Sequence, residues 1–255
     1  LARREAEMNF AREVQAALFP RRLPANRGLN FSAICIPAQG ISGDYYDIVE
    51  CPDGRVAVVL ADISGKGISA AILMANLQAR FRALIEGCDS MSEVCSRLND
   101  HLYHFTEPQK FATFLVAQWR PGSRCVEYVN AGHQVPIVEN SSDPILDKGG
   151  PPLGLFSGII YESGRVELGR NALLVLYSDG ISEAANSQDE EFGIERIEEI
   201  VEENARRKVS EIQAAILNSV NDWSRSEPGD DMTLVIVRVR DCLKPISDET
   251  GGDRA

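Results

Sequence analysis

Cysteine pairs, histidine clusters, basic stretches and long apolar runs are all scarce or missing in this chain of 255 residues. Its six cysteines (Cys35, Cys51, Cys88, Cys95, Cys125 and Cys242) show no Cys-x-x-Cys spacing and no tight cluster. That argues against a zinc site or a disulfide frame and for reduced thiols in a cytosolic protein. The three histidines, His101, His104 and His133, follow no recognised zinc spacing either. Basic residues are outnumbered 26 to 38 by acids, for a net charge of −12, which argues against a nucleic-acid partner. No run approaches the roughly 20 apolar residues that span a bilayer, and no signal peptide is visible. A cytoplasmic location is therefore expected for this domain. The first residue is Leu1 rather than Met, so a longer protein is expected, which could be membrane-attached through an upstream region.

What is present is ordinary for a globular protein: 44% apolar and 25% charged residues, enough for one large domain and a short extension. Residues 1–19 read as a helix stopped by Pro20 and Pro24. Leu1, Met8, Ala11 and Leu18 follow heptad-like spacing, with Phe10, Val14 and Ala17 as a second stripe. One stripe can pack on the domain while the other meets a partner helix; a single helix covering the core explains the pattern equally well. Strand-like runs follow at 29–37, 45–50 and 55–62, then helices at 67–86 and from Ser90, where Ser-x-x-Glu93 makes a capping box. A β-rich stretch covers 111–119, 123–130, 135–138, 157–168 and 172–177. Two further helices carry Phe192, Ile197 and Val201, then Val209, Ile212, Ile216, Val220 and Trp223. A last strand at 232–239 precedes a polar tail expected to be disordered from 244. Strands grouped around paired helices predict two packed sheets with helices outside, a layered α+β sandwich.

Four of these strand-like runs end in aspartate beside glycine: Gly43-Asp44, Asp62-Ile63-Ser64-Gly65, Asp179-Gly180 and Gly229-Asp230-Asp231. Carboxylates gathered from distant segments repel unless a divalent cation sits between them, and an all-oxygen donor set favours Mg²⁺ or Mn²⁺. Gly65-Lys66-Gly67 is not a phosphate-binding loop, because the hydroxyl residue after lysine and the upstream glycine are missing. Taken alone, Asp230-Asp231 is a turn before a strand; beside the other three acids it reads as a metal-binding pair. His133 reads as a turn-fixing hydrogen-bond group, and Glu183 as an acid near a helix N-terminus.

The segments SGDYYDI (42–48), ADISGKGISAA (61–71), FATF (111–114), NAGHQVP (130–136), PPLGL (151–155), LYSDGISEA (176–184) and GDDMTLVIV (229–237) stand in a fixed order. Together they resemble the SpoIIE/RsbU-like branch of the PPM, or PP2C-type, serine/threonine phosphatases of bacteria, over residues 30–240. The resemblance implies a four-layer α-β-β-α sandwich with two antiparallel sheets, over residues 25–243, preceded by a linker or dimerisation helix over 1–24. It implies a centre of two Mn²⁺ or Mg²⁺ ions, or three, with Asp44, Asp62, Asp179 and Asp230 as side-chain ligands. Asp62 would bridge the ions, Ile63 would add its carbonyl, and Asp231 would be either a further ligand or a hydrogen-bond acceptor behind the ligands. Asp62 and Asp179 are the residues on which catalysis would depend. The implied reaction is hydrolysis of phosphoserine or phosphothreonine by metal-activated water. The implied substrate is a phosphorylated STAS-domain anti-sigma-factor antagonist, with an upstream sensor domain and a possible homodimer through the N-terminal helix. Ser64 stands where eukaryotic-type members carry histidine, so the usual protonated-histidine acid is missing there. A catalytically silent or conformationally inactive domain that binds a phosphoprotein is the alternative of a different class.

Overall fold

A computed structural model describes residues 2–24, 28–88, 90–106, 110–141, 143–225 and 228–240. The tail expected from 244 lies outside the described residues. The N-terminal helix α1 (Ala2–Ala16) leads into three strands, β1 (Leu29–Ile36), β2 (Tyr45–Glu50) and β3 (Val56–Ile63), and then into helices α2 (Ile68–Ile85) and α3 (Met91–Phe105). Next come β4 (Ala112–Trp119), β5 (Cys125–Ala131), β6 (Ile137–Ser141), the two-residue β7 (Gly149–Gly150) and the long β8 (Gly164–Tyr177). A helical turn, α4 (Asp179–Ser182), helices α5 (Ile194–Asn204) and α6 (Val209–Ser224), and β9 (Met232–Val239) complete the order.

Period-two alternation along the strands sets the layers. In β3, Ala57, Val59, Ala61 and Ile63 join a core with α2 and α3, whereas Val56, Val58 and Leu60 face the other sheet. In β9, Val235, Val237 and Val239 belong to that same inter-sheet core, and Met232, Leu234 and Ile236 pack on α5 and α6. Three apolar layers between four structural layers make the expected α-β-β-α sandwich. Ser90 caps α3 as the capping box predicts, accepting the Glu93 N–H at 3.3 Å.

β8 joins the two sheets. Its first residues pair antiparallel with β5 (Val126↔Val166), while its last pair with β9 (Leu176↔Val235). Between them Asn171 adopts φ 58°, a left-handed conformation that asparagine tolerates better than most residues. The sequence reading places two strands here, 157–168 and 172–177; the structure has one strand that turns the corner between sheets.

Among the described helices, α2 alone has the length and composition of a candidate membrane span, although Asn76, Gln78, Arg80 and Arg82 interrupt its apolar residues. Its Met74, Leu77, Phe81 and Ile85 are buried in the helix–sheet core. Asp47 on β2 is fully buried and takes two hydrogen bonds from Arg82 of α2, at 2.6 and 2.9 Å, fastening that helix to the sheet.

Candidate metal centre

The four predicted acids come two from each sheet. Asp44 immediately precedes β2 and Asp62 is the penultimate residue of β3; Asp179 follows β8 and Asp230 lies just before β9. Period two turns Asp62 to the same face as Val58 and Leu60, so its carboxylate lies at the rim of the inter-sheet layer. Gly180 allows the two segments of the second sheet to meet. A Cβ there would fall 2.9 Å from the carbonyl carbon of Asp231 and still closer to its oxygen, which only glycine avoids.

Mutual repulsion is visible in the acidities. Burial, and then the Asp62 charge, push the Asp44 carboxyl well above the usual carboxylate range. Asp62 rises to about 7 through burial, then through the charges of Asp179, Asp230 and Asp231, with Lys66 opposing. Asp179 is raised by burial and then by Asp230. Asp44 Oδ2 is buried with no hydrogen-bond partner among the described residues. An orphaned carboxylate oxygen among raised acids fits a hard divalent cation, whose charge would relieve both costs.

Among the described residues, no three His, Cys, Asp or Glu side chains stand close enough together to hold an ion as they are. A cation of the protein's own occupies one of the acids. Lys66 makes a 2.7 Å ion pair with Asp230 Oδ2 and donates to the Gly229 carbonyl at 2.9 Å. Sequence reading weighs Lys66 only as part of a phosphate-binding loop and does not find its pairing with Asp230, because a contact 164 residues away leaves no local pattern.

Of the two roles open to Asp231, its contacts are those of an acceptor behind the ligands. Its carboxylate takes the Ala38 N–H at 2.8 Å, the Ser42 hydroxyl at 2.9 Å and the Gly43 N–H at 2.7 Å. Ser42 Oγ in turn accepts the Asp44 N–H at 2.9 Å. Ser178 donates to the Asp231 carbonyl at 3.0 Å and accepts the Thr233 N–H at 2.9 Å. This network holds the Asp44 loop against the β8 and β9 ends. Ile63 has a buried side chain, and its carbonyl faces the same loop, 3.3 Å from where a Cβ on Gly43 would stand.

α1 reaches the centre through the same loop. Gln15 is buried, donates to the Ser42 carbonyl at 2.7 Å and accepts the Ser42 N–H at 2.8 Å. Arg12 donates to the Gly40 carbonyl at 3.0 Å. Met8, Ala11 and Leu18 are partly covered, and Phe10 and Val14 are exposed. Leu1, the first member of the covered stripe, lies outside the described residues.

Ser64 and His133 both make contacts that fix loops. Ser64 Oγ accepts the Phe111 N–H at 3.0 Å, a loop-fixing contact. His133 is buried, its Nδ1 is 2.8 Å from Thr113 Oγ1, and burial lowers its pKa to about 4, so the ring is neutral at pH 7. The His133 N–H also donates to Asn130 Oδ1 at 2.8 Å, in keeping with the turn-fixing role. Glu183 sits at the C-terminal end of α4, not at a helix N-terminus.

Two sheets between helix pairs, with acids converging from both sheets at one rim, define a PP2C-like domain. The family model for stage II sporulation protein E (SpoIIE) matches residues 52–240, and the chain belongs to that family, the SpoIIE/RsbU-like branch of the PPM phosphatase domains. It is 27% identical over 239 residues to the phosphoserine phosphatase RsbU of Bacillus subtilis, covering 92% of this chain and 70% of that protein. The phosphoserine phosphatase RsbP of the same organism is 22% identical, over 92% of this chain and 58% of its own length. Among solved structures, the SiaA-PP2C domain of Pseudomonas aeruginosa superposes with a TM-score of 0.82 at 18% identity, covering 93% of this chain and 97% of that one.

Proposed function

We propose that the domain is a divalent-metal-dependent protein serine/threonine phosphatase. The observation that carries this reading is the convergence of Asp44, Asp62, Asp179 and Asp230 from two sheets, with the pKa values of Asp44, Asp62 and Asp179 raised and an orphaned buried oxygen on Asp44. Those four carboxylates would hold two Mn²⁺ or Mg²⁺ ions, with Asp62 between them and the Ile63 carbonyl as a further donor. Bound there, the ions supply Lewis acidity and a water acidic enough to attack phosphorus near neutral pH. The protein's part is positional. Asp231 and Ser178 fix the loops that carry the ligands, and Lys66, half exposed, can leave Asp230 to a cation. Ser64 and the neutral His133 leave the departing serine oxygen without a protonated side chain from either position.

The names of RsbU and RsbP support phosphoserine as the substrate group. A phosphorylated STAS-domain antagonist is the protein we propose to carry it. The exposed Phe10 and Val14 stripe of α1 suits a homodimer contact or a link to an upstream sensor domain. The Lys66–Asp230 ion pair favours a second reading, a resting conformation in which the domain binds phosphoprotein until the site closes.

The test is Mn²⁺-dependent hydrolysis of an aryl phosphate and of a phosphoserine peptide by wild type, Asp62→Asn and Asp179→Asn. Loss of turnover in both variants is expected. Undiminished activity in both would overturn the centre. Tight phosphoprotein binding without turnover under any divalent ion would favour the resting or silent form.

A further inference from the structure

Beside the proposed centre lies a groove of about 680 Å³ that the metal chemistry does not use. It starts at Ser182 and Glu183, one turn of helix from Asp179, or ~6 Å at 1.5 Å per residue. Its floor is apolar: Val135, Ile137, Ile145, Tyr177 and Ile194. Val135, Ile145 and Ile194 are 41%, 58% and 42% exposed. A lone exposed apolar side chain means little, but three converging on one concavity beside a reactive centre mark a contact surface. The floor is fixed from below, since the Tyr177 hydroxyl donates to the Val135 carbonyl at 3.2 Å and the Ser182 hydroxyl donates to Gln134 Oε1 at 3.1 Å.

The rim has one sign. Glu183, Glu191, Glu195 and Glu198 line the groove, and among the described residues no Lys or Arg does. None of the four is in an ion pair among the described residues. The nearby Arg196 instead lies over the Trp223 ring, 4.1 Å from its centroid. The field of the acids reaches the floor: the Tyr177 phenol is pushed up to about 12, by burial first and then by Glu198 and Glu195.

We propose that this groove docks the part of a protein substrate that flanks the phosphoserine, and that it selects flanks carrying Lys or Arg next to an apolar residue. The proposal rests on the phosphatase reading. The apolar floor takes the apolar side chain, and the unpaired glutamates take the cations. Such a flank also offsets the repulsion that a protein of net charge −12 exerts on a phosphorylated partner.

Two phosphoserine peptides, one with Lys and Leu in the flank and one with Glu and Ser, test this against wild type and the Glu195→Lys/Glu198→Lys double variant. Aryl phosphate serves as the small-substrate control. Wild type is expected to favour the Lys/Leu peptide about tenfold in kcat/KM at low salt, with the preference shrinking as salt screens it. The double variant should lose that preference while its aryl phosphate turnover stays at the wild-type level. Equal kcat/KM for the two peptides in wild type, or a preference that survives the charge reversal, would overturn the proposal. Should wild type hydrolyse no substrate with Mn²⁺ or Mg²⁺, the phosphatase reading fails on its own account. Fluorescence anisotropy of the labelled, unphosphorylated Lys/Leu peptide then decides the groove. Binding that the double variant abolishes supports it, and binding indifferent to the reversal or absent from wild type refutes it.

Discussion

Asp62 is costly to the metal-free fold because its charge is partly buried near those of Asp179, Asp230 and Asp231. Its carboxyl titrates at about 7 in the folded protein, against roughly 3.9 in an unfolded chain. The folded state therefore binds more protons between those values, and this residue's contribution to stability falls as pH rises through the window. Asp62→Asn should stabilise the metal-free protein by about 1–2 kcal/mol, or some ~3–6 °C in Tm. The gain should be full above pH ~7 and absent below ~4, while metal-dependent turnover is lost. Thermal melts of both proteins from pH 4 to 8 in chelator check this; a gain independent of pH would contradict it. Gly180→Ala should act in the opposite direction. Its methyl has no room beside the Asp231 carbonyl, so we expect a loss of about 2–4 kcal/mol by denaturant titration, or a displaced Asp179 with weakened Mn²⁺ binding. A variant with wild-type stability and wild-type Mn²⁺ affinity would refute the close approach.

At the scale of elements, the single buried contact between α1 and the centre runs through Gln15 among the hydrogen bonds described for that helix. Gln15→Ala would leave the Ser42 N–H and carbonyl buried without their partner, at a cost of about 1–3 kcal/mol. Amide exchange over residues 2–16 should speed up, and Mn²⁺ binding measured by calorimetry should weaken several-fold, because Ser42 also holds Asp44 and Asp231. Unchanged exchange in α1 would show that the helix is held by its apolar stripe alone. The sequence makes the strands and long helices legible because their burial alternates at two or near 3.6 residues. It does not make β8 legible as one strand, since Gly169-Arg170-Asn171 reads as a turn and only packing between two sheets turns it into a corner. It does separate Asp44 from Asp47, since only Asp44 follows a glycine. They lie three residues apart in SGDYYDI and so point to opposite faces, one to the centre and one to Arg82. The candidate metal acids stand out through their glycines, whereas Lys66 and Gln15 act through contacts across the chain that no local spacing encodes.

At the scale of the whole molecule, the centre lies where the two sheets meet, and β8 belongs to both. The inter-sheet core and the outer cores therefore share strands and should melt together. The two tryptophans report on different layers: Trp119 is buried between the sheets, and Trp223 packs at the outer helix layer. Trp223→Phe and Trp119→Phe would leave one probe each, and their denaturation midpoints, corrected for each variant's overall stability by circular dichroism, should coincide in a single transition. Because Asp44 and Asp62 come from one sheet and Asp179 and Asp230 from the other, a cation held by all four would clamp the sheets to each other. Binding to the folded state alone stabilises by mass action, about 2.7 kcal/mol at a hundredfold excess over Kd. Saturating Mn²⁺ should therefore raise both midpoints by the same amount, and neither in Asp62→Asn. A shift seen by one probe and not the other would place the ion within a single sheet, against a centre built from both.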